Sequence, residues 1–365
     1  VNASASAISN ENQREPGVPH LSVCIPTYNR LGKLRRLLAA LLPQLTGACE
    51  LVILDNCSDE EVAVGIQDLL TGWDKCTVRV MRNPANVGGN ANILRCHEVA
   101  RGEWVWVLGD DDLPVEGAVA CLLEESQANP ETVFINFGST ILDLKGAVRE
   151  KTVTADGLEG FIQAFDNFSN LLFISASLYR RPRFISSLRF AYAFIDTCGP
   201  HLALLLIALL KDGGQTRFSH RKTIHWDVAD NTDQWDLQVV YRKLQRLLDL
   251  IPTPELRELW FAKISREAPP PVRTLPSLGK YLISKKGRLD SVRDQLELSA
   301  YLGAMVPSYR LHFLGIWFTA YLSSCVWFPF YLAWAMIPSS HPWSLARYGG
   351  QSAQLVHKFL EDKRT

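Results

Sequence analysis

The stretch EWVWVLGDDDLP, Glu103 to Pro114, decides the fold. An apolar run, Trp104-Val105-Trp106-Val107-Leu108, stops at Gly109 and gives way to Asp110, Asp111 and Asp112. A short apolar run bounded by glycine and charge reads as a strand buried on both faces, the kind a parallel sheet uses. Three carboxylates at its tip repel one another, and burial makes each one costlier. A positive partner is expected there, either a metal ion or a helix N-terminus, with plain water as the alternative.

Outward from this strand the same alternation repeats. LSVCIP (21–26), ELVILD (50–55), TVRVMR (77–82) and TVFINF (132–137) predict further strands. Leu34, Leu37, Leu38 and Leu41 recur at helical spacing after the first strand, and Val62, Ile66, Leu69 and Leu70 after the second, with Ser58 as the expected cap. NPANVGGN leads into another helix, and Pro114 opens a fourth. Strand and helix in alternation predict an α/β domain with a mostly parallel sheet flanked by helices. Ligands of such sheets bind beyond the carboxyl ends of the strands. The segments that fall there are Thr27-Tyr28-Asn29, Asp55-Asn56, Asn83 to Gly89, and Gly109 to Asp112.

Beyond about residue 150 the pattern is mixed. LLFISASLYRR and RKTIHWDV predict strands, HLALLLIALLK (201–211) a buried helix too short to span a bilayer, and helices follow from Asp233. The expected organisation is a flexible tail over 1–20, an α/β domain over 21–232, and a helical region over 233–312. An apolar segment over 313–337 and a C-terminal tail over 338–365 complete it. The apolar segment, FLGIWFTAYLSSCVWFPFYLAWAMI, carries no charge and is long enough to cross a bilayer at about 1.5 Å per residue. Its tryptophans and tyrosines also suit a segment lying in the interface, so contact with a membrane surface is expected while the mode stays open. The basic residues before it, among them Lys285, Lys286 and Arg288, suit anionic headgroups of a cytoplasmic leaflet.

Of the 365 residues 47% are hydrophobic, which excludes global disorder. Lys plus Arg and Asp plus Glu both number 38, and zero net charge argues against a partner dominated by nucleic-acid phosphates. Eight cysteines without a CxxC pair are expected to be reduced and buried, as in a cytoplasmic protein. The first twenty residues lack the apolar core of a signal peptide.

Taken together, SVCIPTYNR, LVILDNCSD, NPANVGGNAN and WVWVLGDDDLP resemble the family 2 glycosyltransferases of the GT-A fold, in order and in spacing, over roughly residues 21 to 137. The branch most similar builds bacterial O-antigen and surface polysaccharide, the abequosyltransferases among them. The resemblance implies that Pro26, Thr27, Tyr28, Asn29 and Asp55 hold the nucleotide of a nucleotide-sugar donor. Asn56 supports that loop, and Asn86 and Gly88, with Gly89, approach the nucleotide. Gly109 stands where the family's first aspartate is usual, so Asp110 is expected to take over the ribose. Asp111, with Asp112 beside it, is expected to bind Mg2+ or Mn2+. The family inverts the sugar's anomeric centre with one base, usually an Asp in an E-D pair opening a helix. That pair is absent here, and His201 and Asp196 are the candidates in its place. His225, near a strand end, is weighed as a further metal ligand or as a packed side chain. The implied activity is transfer of a hexosyl or deoxyhexosyl unit to a hydroxyl of a glycan, lipid-linked by expectation, at the cytoplasmic face of the inner membrane. A nucleotide-binding scaffold without turnover is the alternative reading.

Overall fold

The computed structural model describes residues 18–226, 237–267 and 300–309. Among these residues nine strands succeed one another in chain order: β1 (Leu21–Thr27), β2 (Cys49–Asp55), β3 (Thr77–Arg82), β4 (Trp104–Val107), β5 (Leu113–Pro114), β6 (Thr132–Ser139), β7 (Val153–Asp156), β8 (Ser177–Arg180) and β9 (Gln215–His225). They form one sheet in the order β3-β2-β1-β4-β8-β6-β9-β5, with β7 paired to β9. The first four, β3, β2, β1 and β4, are parallel. β8 then runs antiparallel between β4 and β6. The expected mostly parallel sheet is therefore a mixed one: the half that carries the site is all parallel, and beyond β4 the parallel pair β6–β9 stands among antiparallel pairings. A returning strand needs no helical crossover, and β8 fills the space beside β4 that β6 leaves open.

Six helices frame the sheet and the site: α1 (Leu31–Leu41), α2 (Gly89–Val99), α3 (Ala118–Ala128), α4 (Phe168–Leu172), α5 (Pro200–Asp212) and α6 (Pro254–Glu267). The period of two in each strand assigns them to faces. Val23, Ile25, Trp104 and Trp106 point one way and pack with Leu34, Leu37, Leu38 and Leu41 of α1 and Leu122 of α3. Cys24, Val105 and Val107 point the other way and pack with Cys96 of α2. Trp106 is fully buried, and its indole N–H donates to the Ser175 carbonyl at 2.8 Å. Truncating such a side chain costs about 3–5 kcal/mol. That bond also fixes the segment before β8 against the end of β4.

Local departures from expectation have identifiable causes. Ser58 does not cap a helix: its hydroxyl and amide both turn to Asp55. The next helix starts only at Val62 and breaks into two short turns, Val62–Gly65 and Gln67–Leu70. His20, expected in the flexible tail, is buried, with its ring Nε2 2.8 Å from the Ser126 hydroxyl. The helices between Leu237 and Glu267 belong to the first compact unit, residues 1–277. Trp260 of α6 meets Phe165 and Phe168 edge-on at 5.3 and 5.8 Å between ring centroids. Glu267 at the end of α6 accepts from the Ser169 amide of α4 at 3.0 Å.

In the second unit, residues 278–365, the described residues 300–309 bury Leu302 and Val306. The apolar segment 313–337 and both expected tails beyond residues 18–20 lie outside the described residues. No helix among the described residues is long and apolar enough to cross a membrane. The cysteines described, from Cys24 to Cys198, are all free thiols.

Candidate active site

The carboxyl ends of β1, β2 and β4 and the loop after β3 meet at one edge. β1 ends at Thr27, and Asn29 turns the chain with a left-handed φ of 53°, a conformation asparagine tolerates. Its amide donates to the Ser58 hydroxyl at 2.9 Å, and its side chain exchanges bonds with Asp59 at 2.9 and 2.8 Å. The turn after β1 is thus zipped to the loop after β2. Tyr28 stands out of this turn, 41% exposed. Pro26 lies just inside, opposite Leu54.

Asp55 is buried at the end of β2. One carboxylate oxygen accepts from the Ser58 amide and hydroxyl at 2.9 and 2.6 Å, and the other from Arg82 at 2.8 Å. Arg82, half exposed on β3, also donates to the Ser58 carbonyl at 2.6 Å. Asn56 braces the next loop: it donates to Asn86 at 2.7 Å and accepts from the Val87 amide at 3.0 Å. Asn83 and Asn92 extend this network behind it. Gly88 has φ 85° with nothing near a would-be Cβ, so the loop makes a turn that a side-chain-bearing residue strains to adopt, and leaves open space above it.

The three aspartates have three different surroundings. Asp112 turns inward and accepts from the Ser175 hydroxyl at 2.5 Å. That hydroxyl also accepts from the Gly109 amide at 2.9 Å. Burial, with Asp111 and Asp110 close by, pushes the Asp112 carboxyl well above the usual carboxylate range. Asp110 accepts from the Thr27 hydroxyl at 2.7 Å and from Arg30 at 3.3 Å, yet burial raises it to about 6. Asp111 alone of the three is open to solvent, with Arg30 at 3.1 Å and Lys33 at 3.8 Å. The positive partners of the acidic turn are therefore two side chains of the α1 start.

A divalent cation here would take Asp111 as its open carboxylate. No group of three or more His, Cys, Asp and Glu side chains among the described residues is arranged as a metal cage. An ion of the Mg2+ or Mn2+ kind would complete its shell with phosphate oxygens and water. Asp112, expected beside Asp111 as a ligand, is held inside by Ser175 and supports the turn. A side chain cannot enter at Gly109 without displacement, because its Cβ would sit 2.6 Å from the Asp112 carboxylate. The departure from the family's first aspartate thus has a steric counterpart.

The two candidate bases differ in access. His201 is the second residue of α5 and is buried; burial lowers it to about 4, so its ring is neutral. Asp196 is exposed in the turn before α5 and pairs with Arg246. The same turn reaches the start of α2, next to the Gly88 loop, where Asn90 donates to the Ile195 carbonyl at 2.6 Å. His225 is exposed at the end of β9, opposite Leu113 in the residue pairing. Its neighbours from Asp227 lie outside the described residues. Arg30, Lys33, Arg82 and Ser175 join the site without a motif role assigned from the sequence. Arg30 and Lys33 carry a signal, two bases three apart straight after PTYN.

This sheet, with an acidic turn after β4 and a glycine loop after β3, defines an α/β domain of the GT-A class. S. aureus TarS residues 1–349, solved with UDP-GlcNAc, share the fold at a TM-score of 0.56 and 13% identity, over 80% of this chain and 82% of that one. Residues 22–178 match the model of Glycosyl transferase family 2. It is 24% identical over 204 residues to the abequosyltransferase RfbV of Salmonella typhimurium, covering 51% of this chain and 60% of the relative. It is 28% identical over 142 residues to a GalNAc(5)-diNAcBac-PP-undecaprenol beta-1,3-glucosyltransferase of Campylobacter jejuni, covering 39% and 44%. The chain spans 36% to 60% of the length of the curated relatives it matches.

Proposed function

We propose that this protein is an inverting glycosyltransferase. It moves a sugar from a nucleotide-sugar donor to a hydroxyl of a lipid-linked glycan, in the assembly of a bacterial surface polysaccharide. The observation that carries this reading is the convergence of Asp55 with Arg82, the Gly88 loop and Asp111 on one sheet edge. The UDP-GlcNAc held by TarS and the undecaprenol-linked substrate in the Campylobacter relative's name support the donor and acceptor classes.

In this reading Tyr28 stacks on the base and the Asp55–Arg82 pair reads its polar edge. The backbone at Gly88 and Gly89 approaches the nucleotide. Arg30 and Lys33 exchange Asp111 for the donor's diphosphate, which carries the greater charge. A divalent cation, when bound at Asp111, supplies Lewis-acid stabilisation of the leaving diphosphate. Asp196 accepts the proton of the acceptor hydroxyl as its oxygen bonds to the anomeric carbon. The carbon–oxygen bond to the diphosphate breaks on the opposite face, and the electron pair leaves with the diphosphate. Asp196 is preferred to His201 because it is exposed and its turn touches the start of α2, next to the Gly88 loop. A transfer assay with membranes as acceptor and a panel of nucleotide sugars tests the reading. An inverted linkage, by NMR of the product, is expected; a retained linkage contradicts the single displacement.

A further inference from the structure

Residues 185–197 link β8 to α5 as a 3-10 turn (Ile185–Ser187), a short helix (Leu188–Ala191) and a second turn (Tyr192–Thr197). The inward positions Ser187, Leu188, Ala191 and Thr197 are buried. The outward positions, where a surface helix ordinarily carries polar residues, instead carry Ile185, Phe190 and Ile195, exposed at 37%, 46% and 39%. Lys211 donates to the Ser186 hydroxyl at 3.2 Å, which brings the end of α5, with exposed Leu210, beside them.

Basic side chains rim this apolar face. The Arg189 guanidinium lies 4.5 Å from the Phe190 ring centroid, and Arg246 lies 5.4 Å from that of Phe194. Arg183, Lys211 and Lys243 complete the rim. Of the acids nearby, Asp196 pairs with Arg246, Asp212 lies 3.8 Å from Lys211, and Glu98 lies 3.9 Å from Arg95. Exposed apolar side chains ringed by arginine and lysine are the composition that inserts into a headgroup region and attracts anionic lipid. The face also adjoins the site through the Asn90–Ile195 bond.

We propose that the outer face of residues 185–197 docks onto an anionic phospholipid surface and sets the active-site edge against it. The proposal rests on the membrane-held acceptor of the proposed function and deepens it. The docking face is distinct from the apolar segment 313–337, and belongs to the catalytic unit itself. Its effect is to confine the acceptor hydroxyl to the layer in which Asp196 stands.

The test uses the full chain, with the photoreactive residue benzoylphenylalanine placed at position 185, 190 or 64. Val64 is 69% exposed in the turn beside α1, on the opposite side of the sheet, and serves as the control. Each protein is irradiated with phosphatidylcholine vesicles, with and without phosphatidylglycerol. Lipid adducts are expected at 185 and 190, several-fold above position 64. They should depend on phosphatidylglycerol and weaken in high salt and in an R183E/R189E background. Equal adduct at 64 and 190, or adducts at 190 only with a second copy of the protein, overturns the proposal. Nucleotide binding, measured by calorimetry on the same variants, is expected to be unchanged, so loss of the docking face and loss of the donor site are read separately.

Discussion

Gly109→Ala is the smallest change that challenges the acidic turn. The added Cβ would lie 2.6 Å from one Asp112 carboxylate oxygen and 3.4 Å from an Asp111 oxygen. Ordinary contact needs a separation of about 3.5 Å or more. The Asp112 carboxylate cannot simply swing aside, because it is buried and holds the Ser175 hydroxyl at 2.5 Å, and that hydroxyl holds the Gly109 amide at 2.9 Å. Overpacking of this kind costs about 1–3 kcal/mol. At roughly 2–4 °C per kcal/mol for a domain of this size, the melting temperature should fall by about 2–12 °C. The assay is thermal unfolding of a double-mutant cycle with Asp112→Ala. Truncating Asp112 removes the obstacle, so adding Gly109→Ala to that background should cost almost nothing, and the coupling should match the single-variant loss. Equal losses from Gly109→Ala with and without Asp112 would refute the steric account.

Arg82→Ala leaves the buried Asp55 carboxylate without its cation; a loss of about 1–3 kcal/mol in urea unfolding is expected, together with weaker nucleotide binding. Asp110 is raised to about 6 by burial, so its contribution to stability is complete below its unfolded value and is lost as pH rises through 6. Asp110→Asn should therefore gain roughly 1–3 kcal/mol on wild type at pH 7.5 and converge with it near pH 4. His97 and His201, lowered to about 3 and about 4 by burial, act in the opposite sense. Their contribution is present above their unfolded value and is lost as pH falls through those values, so His201→Gln should flatten the acid limb of the stability profile. Asp196→Asn should lower kcat about 10²–10⁴-fold with donor KM little changed; a variant that keeps wild-type kcat removes Asp196 as the base.

The parallel half of the sheet was legible because each of its strands is a short apolar run ending in polar or glycine residues. LVILD and WVWVL could hardly be anything but buried strands, and the site lies at their tips. In the mixed half TVFINF, LLFISASLYRR and RKTIHWDV were legible as strands too, but the antiparallel direction of β8 was not, because β8 is four residues long and its direction depends on what stands beside β4. Asp110, Asp111 and Asp112 read alike in the sequence. What separates them is one hydroxyl from Ser175, sixty-three residues away from Asp112, and two cations on α1. The same holds for Asp55, whose partner Arg82 arrives from the next strand. Local pattern specifies the strand ends, whereas charge pairing between them is a property of the folded sheet. His201 and Asp196 illustrate the limit from the other side: spacing favours the histidine, and burial separates the two.

The most direct measurement of the central claim is calorimetric titration of the protein with a panel of nucleoside diphosphates, in Mn2+, in Mg2+ and in chelator. The account predicts binding of one nucleotide, strengthened by metal, with the metal effect lost in Asp111→Ala while the fold is retained. Failure of every nucleotide to bind under all three conditions would contradict the donor site at the tips of β1, β2 and β4.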